Sequence, residues 1–288
     1  MALGVPATGA SGLQMPTRPI PSTGTRLGII GYGNAAIFAS TTNLSVARET
    51  SRRLFQLLIN AGGNFADLYF DSALNLGAWL EPEILDRLKF ATGYAPRGLA
   101  FTDADIGRLA HSLKKKSLDF LQVRNLTGME PTQEHWATVR AAKDAGQASH
   151  IGITIASRNN HEAAMAFIER EKPDFLQLNY SLVEPEAELR LLPMAADLGI
   201  GVIVNRPFVN GAFFPKVRGK TLPSWATDFD CKSWAQFALK YIVSQKAVTC
   251  VIPETNEVAH AEDNLAGGLG RMPDELTRQR MRQVFAAL

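Results

Sequence analysis

Short, continuously apolar runs recur eight times along this chain, at 27–33, 64–69, 89–94, 119–125, 150–154, 174–180, 201–207 and 249–253, and amphipathic helical stretches separate most of them. A strand that is apolar on both faces must be covered on both faces, which is the condition of a parallel sheet wrapped by helices. Eight such units close most simply into a barrel. The predicted helices lie near 45–61, 102–116, 132–146, 158–171, 184–198 and 230–245, with further ones near 256 and 273; Ser45 is the expected cap of the first and Gly62 its stop. The competing architecture, a doubly wound open sheet, needs a glycine-rich phosphate loop after the first strand, and Gly31-Tyr32-Gly33 lacks the third glycine.

Composition narrows the class. With 288 residues, 46% hydrophobic and 20% charged, the chain is long enough for one large core, so residues 20–288 are expected to form a single domain. Residues 1–19 are rich in Ala, Gly, Pro and Thr, with no charged start and no apolar centre, and read as a disordered leader rather than a signal peptide. Ser22-Thr23-Gly24 then reads as the turn of an N-terminal β-hairpin. Thirty basic against 28 acidic residues leave a net charge of +2, too small for a nucleic-acid footprint. The longest apolar run, 200–204, is far short of a bilayer span. Cys231 and Cys250 lie in apolar patterns and read as core residues of a reducing compartment, which makes cytoplasm the expected location. The histidines have no metal-ligand spacing, and no nucleophile-elbow pattern occurs, so no metal is expected. A small-molecule ligand is the expected partner; the sequence does not specify an oligomeric state.

In a barrel of this type the functional face is built at the C-terminal ends of the strands. Those ends carry Gly33 and Asn34, Asp67 and Tyr69, Gly93 and Tyr94, Arg124 and Asn125, Thr154, Gln177 with Asn179 and Tyr180, Asn205 and Arg206, and Glu254. Several stretches around them resemble the aldo-keto reductases. They are Ile20-Pro21-Ser22-Thr23-Gly24, Ala61-Gly62-Gly63-Asn64-Phe65-Ala66-Asp67, Asp119-Phe120-Leu121-Gln122-Val123, Ile151-Gly152-Ile153-Thr154, the run 174–181, Val204-Asn205-Arg206-Pro207, and Val251-Ile252-Pro253 followed by Asp263-Asn264. The resemblance implies a (β/α)8 barrel of the aldo-keto reductase type with an N-terminal β-hairpin. It also implies NADPH-dependent carbonyl reduction through a tetrad of Asp, Tyr, Lys and His.

Asp67 matches the aspartate of that tetrad, whereas the tyrosine position falls on Ser72, the lysine on Gly93 and the histidine on Arg124. Gln177 matches a glutamine that contacts nicotinamide in the family. The segment that offers small residues and cations to the 2′-phosphate reads Glu254-Thr255-Asn256-Glu257 here, and two carboxylates repel a phosphate. Weak or lost NADPH binding is therefore expected, with no cofactor assigned. Arg124 is expected to compensate Asp67 in a bidentate pair, either as structure or as part of the chemistry. The candidate catalytic residues are Asp67, Arg124, Asp71 and Tyr69; the candidate substrate-binding residues are Ser72, Tyr94, Asn125, Gln177, Asn179, Tyr180, Asn205 and Arg206. Exchange of tyrosine and lysine for Ser72 and Gly93 suggests an enlarged pocket, and the long aromatic segment 208–229 a lid over it. The favoured reading is a non-redox enzyme, a cyclase, isomerase or lyase acting on a small enolisable carbonyl compound with Asp67 or Asp71 as base. A non-catalytic binding protein and a reductase with a displaced proton donor, Tyr69 or Tyr94, are the alternatives.

Overall fold

The computed structural model describes residues 14–94, 102–124 and 133–288. An antiparallel hairpin, β1 (Thr17–Pro19) and β2 (Arg26–Gly28), comes first. Seven parallel strands follow in chain order: β3 (Phe65–Asp67), β4 (Lys89–Tyr94), β5 (Leu118–Val123), β6 (Ala148–Thr154), β7 (Phe175–Asn179), β8 (Gly201–Asn205) and β9 (Val248–Val251). The segment 29–33 closes the ring without forming a regular strand. It bridges β9 at Val251 and β3 at Ala66, and its amides bond both neighbours, Gly31 N–H to the Val251 carbonyl (2.9 Å) and Tyr32 N–H to the Phe65 carbonyl (3.0 Å). The single strand expected over 27–33 is thus divided, because residues 26–28 pair with β1 while the next few residues complete the barrel.

Helices wrap the strands: α1 (Leu44–Asn60), α2 (Phe70–Trp79), α3 (Pro82–Arg87), α4 (Asp103–Ser112), α5 (Gln133–Asp144), α6 (His161–Glu171), α7 (Leu191–Asp197), α8 (Phe213–Val217), α9 (Trp234–Val243), α10 (Val258–Ala266) and α11 (Glu275–Ala286). Helix α1 starts one residue before the expected Ser45, with a left-handed Asn43 ahead of it. Its end is as the sequence suggests: Gly62 at φ +89° takes the left-handed turn that delivers the chain into β3. Helices α2 and α3 are additions, and the segment expected as a lid holds α8 and two 3₁₀ turns. Among the described residues no helix is long and apolar enough to cross a membrane. Part of the expected leader is structured, since Thr17–Pro19 forms β1 and Met15 is buried in the core; residues 1–13 lie outside the described residues.

Period-two alternation sorts side chains into layers inside the barrel. Phe65, Phe120 and Phe175 meet edge to face, with centroids 5.2 and 5.3 Å apart, in an apolar layer with Ala91, Ile203 and Cys250. Ile20 and Leu27 from the hairpin plug this layer from below. Two residues further along three of these strands stand Asp67, Gln122 and Gln177. The interior therefore changes from apolar to polar within one layer, and the polar end is the mouth.

Candidate functional site

Asp67 sits at the end of β3 and is 4% exposed. Arg124, just after β5 and 3% exposed, grips it with both terminal nitrogens: Nη1 donates to Oδ2 at 2.9 Å and Nη2 to Oδ1 at 2.5 Å. Two amides complete the coordination, Gln122 Nε2 to Oδ1 at 2.7 Å and Gln177 Nε2 to Oδ2 at 3.1 Å. Each carboxylate oxygen accepts two hydrogen bonds, which fills its lone-pair capacity. Strand β4 lies between β3 and β5, so these side chains must cross it, and Gln122 crosses at Gly93. A Cβ there would lie 2.2 Å from the Gln122 carbonyl oxygen and 2.7 Å from Gln122 Cγ. Gly93 therefore does not enlarge the pocket as expected; the space it leaves is filled by Gln122.

The same network runs on around the mouth. Thr154 Oγ1 donates to Gln122 Oε1 at 2.7 Å, and Asn205 Nδ2 donates to Gln177 Oε1 at 3.1 Å. Above it lies Tyr69, half exposed, with the Arg124 guanidinium carbon 4.8 Å from its ring centroid. Asn34 holds Tyr69 in place by accepting its backbone N–H at 2.9 Å, and the backbone N–H of Asn34 in turn bonds Glu254. One asparagine thus ties Tyr69 and Glu254 to opposite sides of the opening. Desolvation, and then the charge of Asp67, push the Glu254 carboxyl above the usual carboxylate range, with Arg124 and the Asn34 amide opposing. Glu254 as a residue is exposed along the trough, so the desolvated part is the carboxyl end seated against Gly33.

These side chains line a cavity of about 350 Å³. It continues past Glu254 into spaces of about 280 and 520 Å³, the last bordered by Trp234, His260 and Asn264. A separate groove of about 340 Å³ between α5 and α6 lies on the barrel flank, away from the strand ends. Its polar walls are satisfied by one another, Trp136 and Arg140 both bonding Glu171.

Of the residues expected at the site, the mouth brings together Asp67, Arg124, Tyr69, Gln177, Asn205 and Arg206. Asp71 is exposed in the first turn of α2, where a carboxylate complements the helix dipole, and does not line the cavity. Ser72 is fully buried on the inner face of α2, its hydroxyl without a partner. Asn179 and Tyr180 turn away from the mouth, because their polar ends find partners outside it. Asn179 bonds Glu184 and His161, and the Tyr180 hydroxyl meets Glu188 and Arg278. Asn125 and the side chain of Tyr94 lie outside the described residues. Gln122 and Asn210 were missed as site residues, while Asn34, Thr154 and Glu254, read as strand ends of the functional face, also line the mouth. For Gln122 a signal existed, since it shares the inward face of β5 with Phe120. Among the described residues no group of His, Cys, Asp or Glu has the geometry to hold a metal ion.

The barrel is thus plugged below and polar above, with buried charge and a phenol at the strand ends. Residues 29–277 match the model of the Aldo/keto reductase family, and the chain belongs to that family. The chain is 25% identical over 150 residues to an uncharacterized oxidoreductase of Schizosaccharomyces pombe, covering 52% of this chain and 47% of that one. It is 32% identical over 124 residues to the uncharacterized oxidoreductase YrpG of Bacillus subtilis, covering 40% and 36%. The match thus spans less than half the length of either relative. Among solved structures, the holo form of an aldo-keto reductase from Bacillus halodurans superposes with a TM-score of 0.73 at 15% identity, over 94% of this chain and 96% of that one. A Klebsiella pneumoniae aldo-keto reductase in complex with NADPH gives 0.72 at 15% identity, over 95% of each.

The family implies a nicotinamide dinucleotide, and the side chains present do not fit one well. Gln177 has both amide hydrogens committed inward, to Asp67 and Gln122, and its oxygen committed to Asn205. Glu254 borders all three connected cavities, so a diphosphate laid along the trough would pass a carboxylate.

Proposed function

We propose that this chain is an enzyme that moves protons on a small carbonyl compound without transferring hydride, with Glu254 and Tyr69 as its acid–base pair. The observation that carries this reading is the saturation of Asp67. A carboxylate holding four donors has no lone pair left for a substrate proton, so the expected base becomes half of a fixed ion pair. The mouth's remaining titratable groups with a free side toward the cavity are Glu254 and Tyr69. A carboxyl whose proton affinity is raised by desolvation is a better base near neutrality than an ordinary one. Glu254 takes a proton from the carbon beside the carbonyl; the C–H pair becomes the C=C bond and the carbonyl π pair moves to oxygen. Tyr69 donates its hydroxyl proton to that oxygen, and the Arg124 guanidinium stabilises the negative charge as it develops. The net change is enolisation; where the substrate carries an α-hydroxyl, Glu254 returns its proton to the former carbonyl carbon while the Tyr69 phenolate takes the proton of that hydroxyl, which becomes the new carbonyl, so an isomerisation is completed with both groups restored.

The test uses the purified chain in deuterated water with dihydroxyacetone and pyruvate as probes, following loss of the α-proton signal by NMR. Tyr69→Phe and Glu254→Gln are each expected to slow exchange by about 10²–10⁴-fold without loss of fold. In parallel, NADPH and NADH are titrated by fluorescence quenching and thermal shift. Saturable binding with reduction of a carbonyl probe would sink this reading. It would favour a reductase with Tyr69 as proton donor, which the continuation of the trough past Glu254 supports.

A further inference from the structure

The mouth also holds polar atoms that the fold leaves unspent. Asn205 is 8% exposed; its Nδ2 is used twice, on the Ile155 carbonyl (2.9 Å) and on Gln177 Oε1 (3.1 Å), while Oδ1 has no partner. Arg206 follows at φ +49°, and Val209 and Asn210 share that left-handed conformation at +48° and +51°. Non-glycine residues adopt it at a cost, and a β-branched valine rarely does, so three within five residues mark a loop held in a strained shape. Arg206 lines the cavity at the mouth. Its Nη1 donates to the Ala156 carbonyl and its Nε has no partner. Among the described residues no carboxylate pairs with it. Asp67 is taken by Arg124, and Glu254 is bonded by the Asn34 backbone N–H.

A half-buried cation without a counter-anion and an orphaned acceptor beside it make a complementary pair of requirements. We infer that the mouth binds a short hydroxy oxo-acid, with Arg206 gripping the carboxylate and Asn205 Oδ1 accepting from the adjacent hydroxyl. A guanidinium presents a planar fork of donors matched to a carboxylate. The space of about 350 Å³ that Arg206 and Asn205 border is large enough for a short acid. The oxo part of this assignment rests on the acid–base reading above; the grip on the acid and its hydroxyl stands on Arg206 and Asn205 alone.

The probes are lactate and glycerate against lactamide and propionate, titrated calorimetrically into the full chain. Lactate and glycerate are expected to bind, and lactamide about ten- to a hundredfold more weakly, the cost of losing a charge-assisted pair. Arg206→Gln should weaken lactate by the same factor, Arg206→Lys should restore part of it, and Asn205→Leu should abolish the preference for lactate over propionate. Unfolding midpoints of each variant verify that the fold is kept. The inference is overturned if lactate and lactamide bind alike, if Arg206→Gln leaves lactate affinity unchanged, or if no acid binds at millimolar concentration. Failure of the acid–base reading is seen separately. If Tyr69→Phe and Glu254→Gln keep full proton exchange while lactate still depends on Arg206, that reading falls and the acid grip remains.

Discussion

At the residue scale, one ion pair sets the character of the mouth. A carboxylate taken out of water is costly unless its charge is met, and Asp67 is met by a guanidinium and two amides at once. Arg124→Met is therefore expected to destabilise the chain by about 3–5 kcal/mol, read from urea unfolding, because it leaves a buried charge with neutral donors only. Adding Asp67→Asn to that variant should recover part of the loss, since the uncompensated charge is gone. Additive losses, with the double variant falling by the sum of the two single variants, would show that the pair carries no such energy. Gly93 belongs to the same unit. Its missing side chain leaves room for Gln122, which reaches Asp67 across β4, so glycine in β4, Gln122 in β5 and the Arg124–Asp67 pair form one unit.

At the element scale, the hairpin is latched to the lower end of the strands by a polar cluster. Ser22 donates to Asp174, Thr23 bonds His150 Nε2 (2.8 Å), His150 Nδ1 meets the Asp119 carbonyl, and Lys143 pairs with Asp174. Burial pushes the His150 ring below its ordinary value; its bond to the Asp119 carbonyl and the nearby Asp174 charge oppose this without reversing it. Burial would raise Asp174, but Lys143, the Ile151 amide and Ser22 overcome it and hold it low. Asp119 moves the opposite way, raised by burial against the pull of Lys115 and Lys89. The signs follow from linkage. A histidine whose folded value is depressed gives stability that is full above its unfolded value near 6.5 and is lost as pH falls below it. A depressed aspartate gives stability that is lost below its unfolded value of 3.8. Asp119 acts on the other side of that value, returning some stability as pH falls from its raised value toward 3.8. Burial also lowers His161, so thermal unfolding is expected to show a first decline below pH 6.5 that His150→Gln reduces, with His161 supplying the rest and the later loss left in place. A variant that declines like the parent would remove His150 as the cause.

At the scale of the whole molecule, the hairpin caps the apolar layer of the barrel interior. Ile20 and Leu27 close the layer of Phe65, Phe120 and Phe175, so trimming both to alanine should cost about 2–5 kcal/mol for each and admit a hydrophobic dye such as ANS at the lower end. An unchanged midpoint and no dye binding would show that the strands seal themselves. The barrel itself was legible in the sequence, because parallel strands buried on both faces must be written as short apolar runs, and seven of the eight runs are strands. The eighth is split, because residues 26–33 serve a hairpin and a closure together, and two partners cannot be read from one stretch of chain. Helix α2 went unread because Asn75 and Gly77 interrupt its pattern, and Gly77 is needed where α2 packs on the backbone of Ser112. In the site, Asp67 and Arg124 were legible as a charge and its compensator, since a strand end carries few alternatives. The saturation of Asp67 by Gln122 and Gln177 and the turning away of Asn179 and Tyr180 were not. What the sequence alone determined is periodic: which residues face inward, and so the barrel and the ring of strand ends. Only the tertiary structure decided which polar atoms at that ring are spent on each other and which are left for a ligand, because hydrogen-bond pairing depends on distances across strands that no local pattern encodes.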